Sequence, residues 1–85
     1  MASVRTERRI FQELSDLLAS NPSQEQLLNY RPSKGLQQRL QRLLARQGEG
    51  TLTYEQQREL DEFLHAEMLM GLVKAKLHAQ KARSA

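Results

Sequence analysis

HAEMLMGLVKAK, residues 65–76, decides how this chain folds. Met68 to Val73 carry no polar side chain, yet Glu67 and Lys74 bracket them in a chain otherwise rich in Gln and Arg. Six apolar residues in a row fall far short of the roughly 20 that cross a bilayer, and nothing here alternates with the period of a half-buried strand. At about 100° per residue round a helix, Leu60, Phe63, Leu64, Glu67 and Gly71 share one narrow arc, with Lys74 beside it. That part reads as an amphipathic helix with a single apolar stripe. From Met68 onward, Met68, Leu69, Met70, Leu72 and Val73 spread round the cylinder, and a helix apolar all round is buried all round. Two covers fit: the first helix of the chain, or a surface outside it. Gly71, which costs about 1 kcal/mol relative to Ala inside a helix, is either a tolerated weak spot or a point of close approach by a crossing helix; close approach is the expectation. Glu67 either snorkels at the core edge or bonds a polar group such as Tyr30, Arg31 or Ser33, and a structural partner is expected rather than acid catalysis.

Outward from this stretch, the last helix is predicted over 54–82, opened by the capping box Thr53-Tyr54-Glu55-Gln56, with 83–85 frayed. Before it, Leu36, Leu40, Leu43 and Leu44 make an apolar stripe on a helix over 34–47, ended by Gly48-Glu49-Gly50. That helix carries Lys34, Arg39, Arg42 and Arg46 and no acid, while residues 54–67 carry Glu55, Glu59, Asp61, Glu62 and Glu67 against Arg58 alone. Folding back across residues 48–52 brings Arg46 toward Glu55 and Arg42 toward Glu59, which predicts an antiparallel helical hairpin. Upstream, Arg31-Pro32 forces an extended corner, Ser23 to Gln26 is a second capping box for a short helix over 24–29, and the run SNPS stops a first helix over 4–19. Val4, Ile10, Phe11, Leu14, Leu17 and Leu18 form the apolar face of that helix. The class is all-α: a small bundle of three main helices plus one short helix, in which the antiparallel hairpin leads into a long C-terminal helix.

Bulk composition agrees. Eighty-five residues make one small domain, 1–85. With 39% hydrophobic and 27% charged residues the chain is too apolar for a disordered tail. Two Val, one Ile and three Thr are too few β-branched residues to favour a sheet. The absence of cysteine removes disulfides, thiolate nucleophiles and cysteine metal sites, and fits a reducing compartment. Arg5, Glu7, Arg8 and Arg9 stand near the N-terminus with no apolar block behind them, unlike a secretory signal. The expectation is a soluble cytoplasmic protein.

No catalytic constellation emerges. His65 and His78 lie thirteen residues apart, on different faces of one helix, so they cannot share a metal. His65-Ala66-Glu67 matches half of a zinc deaminase signature whose cysteine half cannot exist here. There is no nucleophile elbow, phosphate loop or metalloprotease motif. Neither an enzymatic activity nor a cofactor, metal or small-molecule substrate is expected. The net charge is +3, and Lys74, Lys76, Lys81 and Arg83 occupy the last eighteen residues without an acid. Such an end either complements the helix macrodipole or forms a basic patch for nucleic acid. The leading expectation is a non-enzymatic helical interaction module. In it Met68, Met70, Leu72, Val73 and Leu77 bind a partner protein or a second copy as a homodimer. The alternative is a small nucleic-acid-associated protein using the Lys74–Arg83 end. A membrane-surface role lacks the basic residues and the length it needs.

Arg31-Pro32-Ser33, Leu36-Gln37, Arg39, Leu43-Leu44, Gly50, Leu52-Thr53, Glu55, Glu59-Leu60, Glu67 and Lys74-Ala75-Lys76 together resemble the pattern of a family of small uncharacterised bacterial proteins, frequent in cyanobacteria. The resemblance covers about Leu14 to Lys76. Longer members carry an N-terminal segment similar to a ribbon-helix-helix DNA-binding arm; this chain begins directly with the first-helix region. What the resemblance implies is an all-helical accessory, adaptor or antitoxin-like protein, and the departure from the longer members counts against an expectation of autonomous DNA binding. Arg31, Glu67 and Lys74 match the pattern with no role attached to them.

Overall fold

A computed structural model describes residues 9–84, which form four helices: α1 (Ile10–Ala19), α2 (Gln24–Leu28), α3 (Lys34–Glu49) and α4 (Tyr54–Ser84). The described residues contain no strand. The expected helical start at Val4 lies outside them, as does Ala85. The end expected to fray remains helical through Ser84.

Local chemistry sets the boundaries. Ser23 accepts from the Gln26 backbone N–H at 3.1 Å, and the Gln26 side chain accepts from Ser23 N–H at 2.8 Å. Thr53 and Gln56 repeat the arrangement at 3.1 and 3.0 Å. Each box satisfies donors that a helix start leaves open. Ser33 caps α3 through the Leu36 N–H at 3.4 Å. α3 runs two residues past Gln47 and ends on Gly50 at φ +75°, with Thr51 N–H reaching back to the Arg46 carbonyl at 2.9 Å. This is a Schellman closure, in which glycine takes the left-handed residue without a Cβ penalty. Asn21 takes the same backbone region at φ +56° between α1 and α2, where Asn is better tolerated than most side chains.

α4 is the spine. Its 31 residues extend about 46 Å, close to the longest dimension of the molecule, 49 × 31 × 18 Å. The radius of gyration is 15.3 Å, against about 12 Å for a compact domain of this length. α1, α2 and α3 all pack on α4. Leu60, Phe63, Ala66 and Met70 supply the α4 side of the core, Ile10 and Leu14 come from α1, and Leu36 and Leu43 from α3. Leu27, Tyr30, Leu40 and Leu52 close its edges.

The hairpin forms as expected, and Arg42 comes near enough to Glu59 to favour its charged form. Glu59 pairs with Arg39, not Arg42, through two bonds of 2.8 and 2.9 Å. Arg39 lies three residues after Leu36 and four before Leu43, at the edge of the apolar stripe, and is half-buried; Arg42 is exposed and acts on Glu59 only through its charge. Leucine packing sets the register and delivers the nearest arginine to a carboxylate that is itself buried.

Candidate functional site

Two features stand out on α4: a polar corner beside its packed face, and an apolar stripe on its back.

The corner is the extended link between α2 and α3. The Tyr30 hydroxyl donates to Glu13 of α1 at 2.7 Å, and the Ser33 backbone N–H donates to the same carboxylate oxygen at 3.0 Å. From the other side, the Lys74 ammonium donates to the Tyr30 carbonyl at 2.9 Å. Gln37 donates its side-chain amide to the Pro32 carbonyl at 2.7 Å. Burial, reinforced by the bond to Glu13, pushes the Tyr30 phenol well above its ordinary pKa. Next to this corner, between α1 and α3, opens a cleft of about 440 Å³. Ile10, Leu14, Leu40, Phe63 and Met70 line it, with Arg31, Glu67 and Lys74 among its polar residues. Of its polar groups, Tyr30, Gln37 and Lys74 are engaged in holding the corner. Among the described residues no group of three His, Asp or Glu side chains could hold a metal.

This arrangement corrects two expectations. Glu67 is exposed, and the carboxylate serving Tyr30 and Ser33 is Glu13. The helical wheel carried the signal: Glu13 follows Ile10 by three positions and precedes Leu17 by four, so it rides on the flank of the face that α1 buries. Arg31 is exposed at the cleft. Gly71 has open space where a Cβ would stand, with nothing within 4 Å, so no crossing helix among the described residues approaches it closely.

The basic end does not form one patch. Lys74 is committed to Tyr30, and Lys81 to Glu25 of α2 at 3.0 Å. Lys74 and Lys81 are seven residues apart and share a side of α4. Lys76 and Arg83, likewise seven apart, lie on the opposite side and are exposed. Lys81 thus ties to α2 through an exposed pair, and Lys74 ties to the link that follows α2.

The residues expected to meet a partner also divide. Met70 belongs to the internal core, 7% exposed, packed with α1. Val73 and Leu77 are half-buried along the length of α4 that α2 covers. Of these five only Met68 and Leu72 face outward, joined by Leu69 from the same apolar run and by Leu64, which the helical wheel places in the core arc: exposures are 49% for Leu64, 63% for Met68, 45% for Leu69 and 56% for Leu72. Leu64, Met68 and Leu72 are spaced by four and form one stripe. Their signal was present in the sequence, but Leu64 fell at the margin of the core arc and was absorbed into it.

The acidic half of α4 is bolted down in turn. Glu62 takes Arg9 of the α1 start at 3.0 and 3.1 Å. The guanidinium of Arg39, bonded to Glu59, holds that carboxyl below its ordinary pKa against the opposing effect of burial. No helix among the described residues is long and apolar enough to cross a membrane.

No family model, curated protein or solved structure matches this chain.

Proposed function

We propose that this chain is a non-enzymatic helical interaction module, an adaptor or antitoxin-like accessory protein whose working surface is the back of α4. The observation that carries the proposal is the stripe Leu64, Met68 and Leu72, with Leu69 beside it, all about half exposed on a helix whose opposite face already fills the core. Contiguous apolar surface of this kind on a small protein marks a place where another macromolecule docks, and methionine adapts well to a partner's contours. Meanwhile Tyr30, Gln37 and Lys74 at the cleft are taken up by fold-holding bonds, and that favours binding over chemistry.

The nucleic-acid alternative draws support from Lys76 and Arg83 alone, because Lys74 and Lys81 are taken up within the fold. Two phosphate contacts give a shallow salt dependence and weak affinity.

The test is affinity capture with the wild-type chain and with Met68→Asp, at equal folded fraction by circular dichroism. Loss of the captured protein in the variant, with the thermal melt unchanged, is the expected outcome. Capture that survives the substitution but collapses between low and moderate salt transfers the function to the basic end.

A further inference from the structure

The back of α4 has a pattern that goes beyond an apolar patch. Outward from Met68 at steps of four and then three, the face continues through Leu64 and Asp61 toward the N-terminus and through Leu72 and Ala75 toward the C-terminus. Further steps reach Gln57 and Tyr54 on one side and Ala79 and Ala82 on the other. Alternation of three and four is the spacing at which two helices interlock along their length. Beyond Leu64 and Leu72 the two arms differ in size: Asp61, Gln57 and Tyr54 on the N-terminal arm, alanines on the C-terminal one. They also differ in charge. Residues 54–67 hold five acids against one base, a net of −4, and residues 68–84 hold four bases and no acid, a net of +4.

We infer that α4 pairs with α4 of a second copy, antiparallel, across a two-fold axis at Met68. This deepens the interaction-module reading and rests on it, naming the partner. In that arrangement Met68 meets Met68 of the second copy and Leu64 meets Leu72. Asp61, Gln57 and Tyr54 lie over Ala75, Ala79 and Ala82, so each long side chain crosses a small one. Asp61 comes within reach of Lys76, one of the two cations not spent inside the fold. Of the acidic half, Glu59 and Glu62 are held by Arg39 and Arg9 and Asp61 accepts from Gln57 of its own helix at 3.1 Å, so that among the described residues Glu55, Asp61 and Glu67 form no ion pair and contribute their charge to the field that the second copy sees. The lone cation there, Arg58, sits over the Tyr54 ring at 6.0 Å. A parallel pairing would instead stack each half on its own sign and lay alanine on alanine. Antiparallel pairing also opposes the two helix macrodipoles favourably.

The absence of cysteine makes this testable with single introduced thiols. The wild-type chain should weigh twice 9.8 kDa by light scattering, dissociating on dilution. Under mild oxidation Met68→Cys should crosslink to itself. Leu64→Cys and Leu72→Cys should each stay unlinked alone and link to one another when mixed. Asp61→Lys and Lys76→Asp should each weaken the dimer at least tenfold, and the double variant should recover it. All three thiol positions are on the surface, so circular dichroism should be unchanged.

Leu64→Cys linking to itself as well as Met68→Cys would indicate a parallel pair and overturn the inference. So would a dimer indifferent to Met68→Asp. A monomer at every concentration also overturns it, and two cases then separate. If Met68→Asp abolishes capture of a different protein, the interaction reading stands with another occupant; if it changes nothing, both fail.

Discussion

The two faces of α4 are built from the same kinds of residue and have opposite fates. Leu60, Phe63, Ala66 and Met70 are buried; Leu64, Met68 and Leu72, a turn away on the same cylinder, are open. Composition does not distinguish them. What distinguishes them is the border: Glu59, Glu62, Lys74 and Lys81 flank the packed face, and each reaches across to Arg39, Arg9, Tyr30 or Glu25 of the rest of the chain. The back stripe is flanked by Asp61 and Lys76, which make no such bond to another helix among the described residues. Charged residues at the margin therefore indicate which apolar face is closed internally, because a long side chain reaches only a neighbour that is there.

The largest expected effect comes from cutting each face alike. Leu60→Ala, at a site with no exposure, should cost about 3–5 kcal/mol of stability, a large share of what a small domain possesses. Met68→Ala should stay within about 0.5 kcal/mol under dilute, monomeric conditions. Urea unfolding followed by circular dichroism measures both; equal losses would erase the distinction between the faces.

Next in size is the border pair. Arg39→Ala strands a buried Glu59 carboxylate, and with the arginine side chain 25% exposed the expected loss is about 2–3 kcal/mol, somewhat under that for a fully buried pair. The pH dependence follows from Glu59. Its folded-state pKa is lowered, so the bond stabilises fully above the ordinary glutamate range and the benefit disappears as pH falls through the folded value. Acid titration of the melting temperature should show this drop in the wild type and a flatter curve in Glu59→Gln.

A smaller effect is expected at the corner. Glu13→Ala removes the acceptor of both Tyr30 and Ser33 and should cost about 1–2 kcal/mol. Tyr30 has a raised pKa, so its contribution is complete below the ordinary tyrosine value and fades as pH climbs through the folded one. Ultraviolet titration should find Tyr30 ionising late in the wild type and earlier in Glu13→Ala, though still raised, since burial is the leading cause. Tyr30 ionising in the ordinary tyrosine range would overturn its burial at the corner.

Smallest is Gly71→Ala. With open space around the added methyl, the change should stabilise the chain by up to about 1 kcal/mol through helix propensity alone. Destabilisation would place a close neighbour where the structure has none.

Much of this was readable from residue types. The capping boxes at Ser23 and Thr53, the glycine stop at Gly50 and the antiparallel return of α3 onto α4 follow from local hydrogen-bonding needs and a few spacings, so they appear in both sequence and structure. The site was less legible. Met70, Val73 and Leu77 looked as available to a partner as Met68 and Leu72 did, because an all-round apolar helix carries no mark of which side another helix will take. Glu67 looked like the polar anchor of the corner because it shares an arc with Leu60, whereas Glu13 reached it from a different helix. The choice of Arg39 over Arg42 depended on how leucines from two helices interlock.

By itself the sequence determined the helical class, the places where helices start and stop, and the charge reversal along α4, because each depends on neighbours within a few residues. Only the tertiary structure decided which face of α4 is spent on the core and which two of four cations are taken up within the fold. Those outcomes rest on packing between segments up to 56 residues apart in the chain, as Glu25 and Lys81 are, and no local preference specifies them.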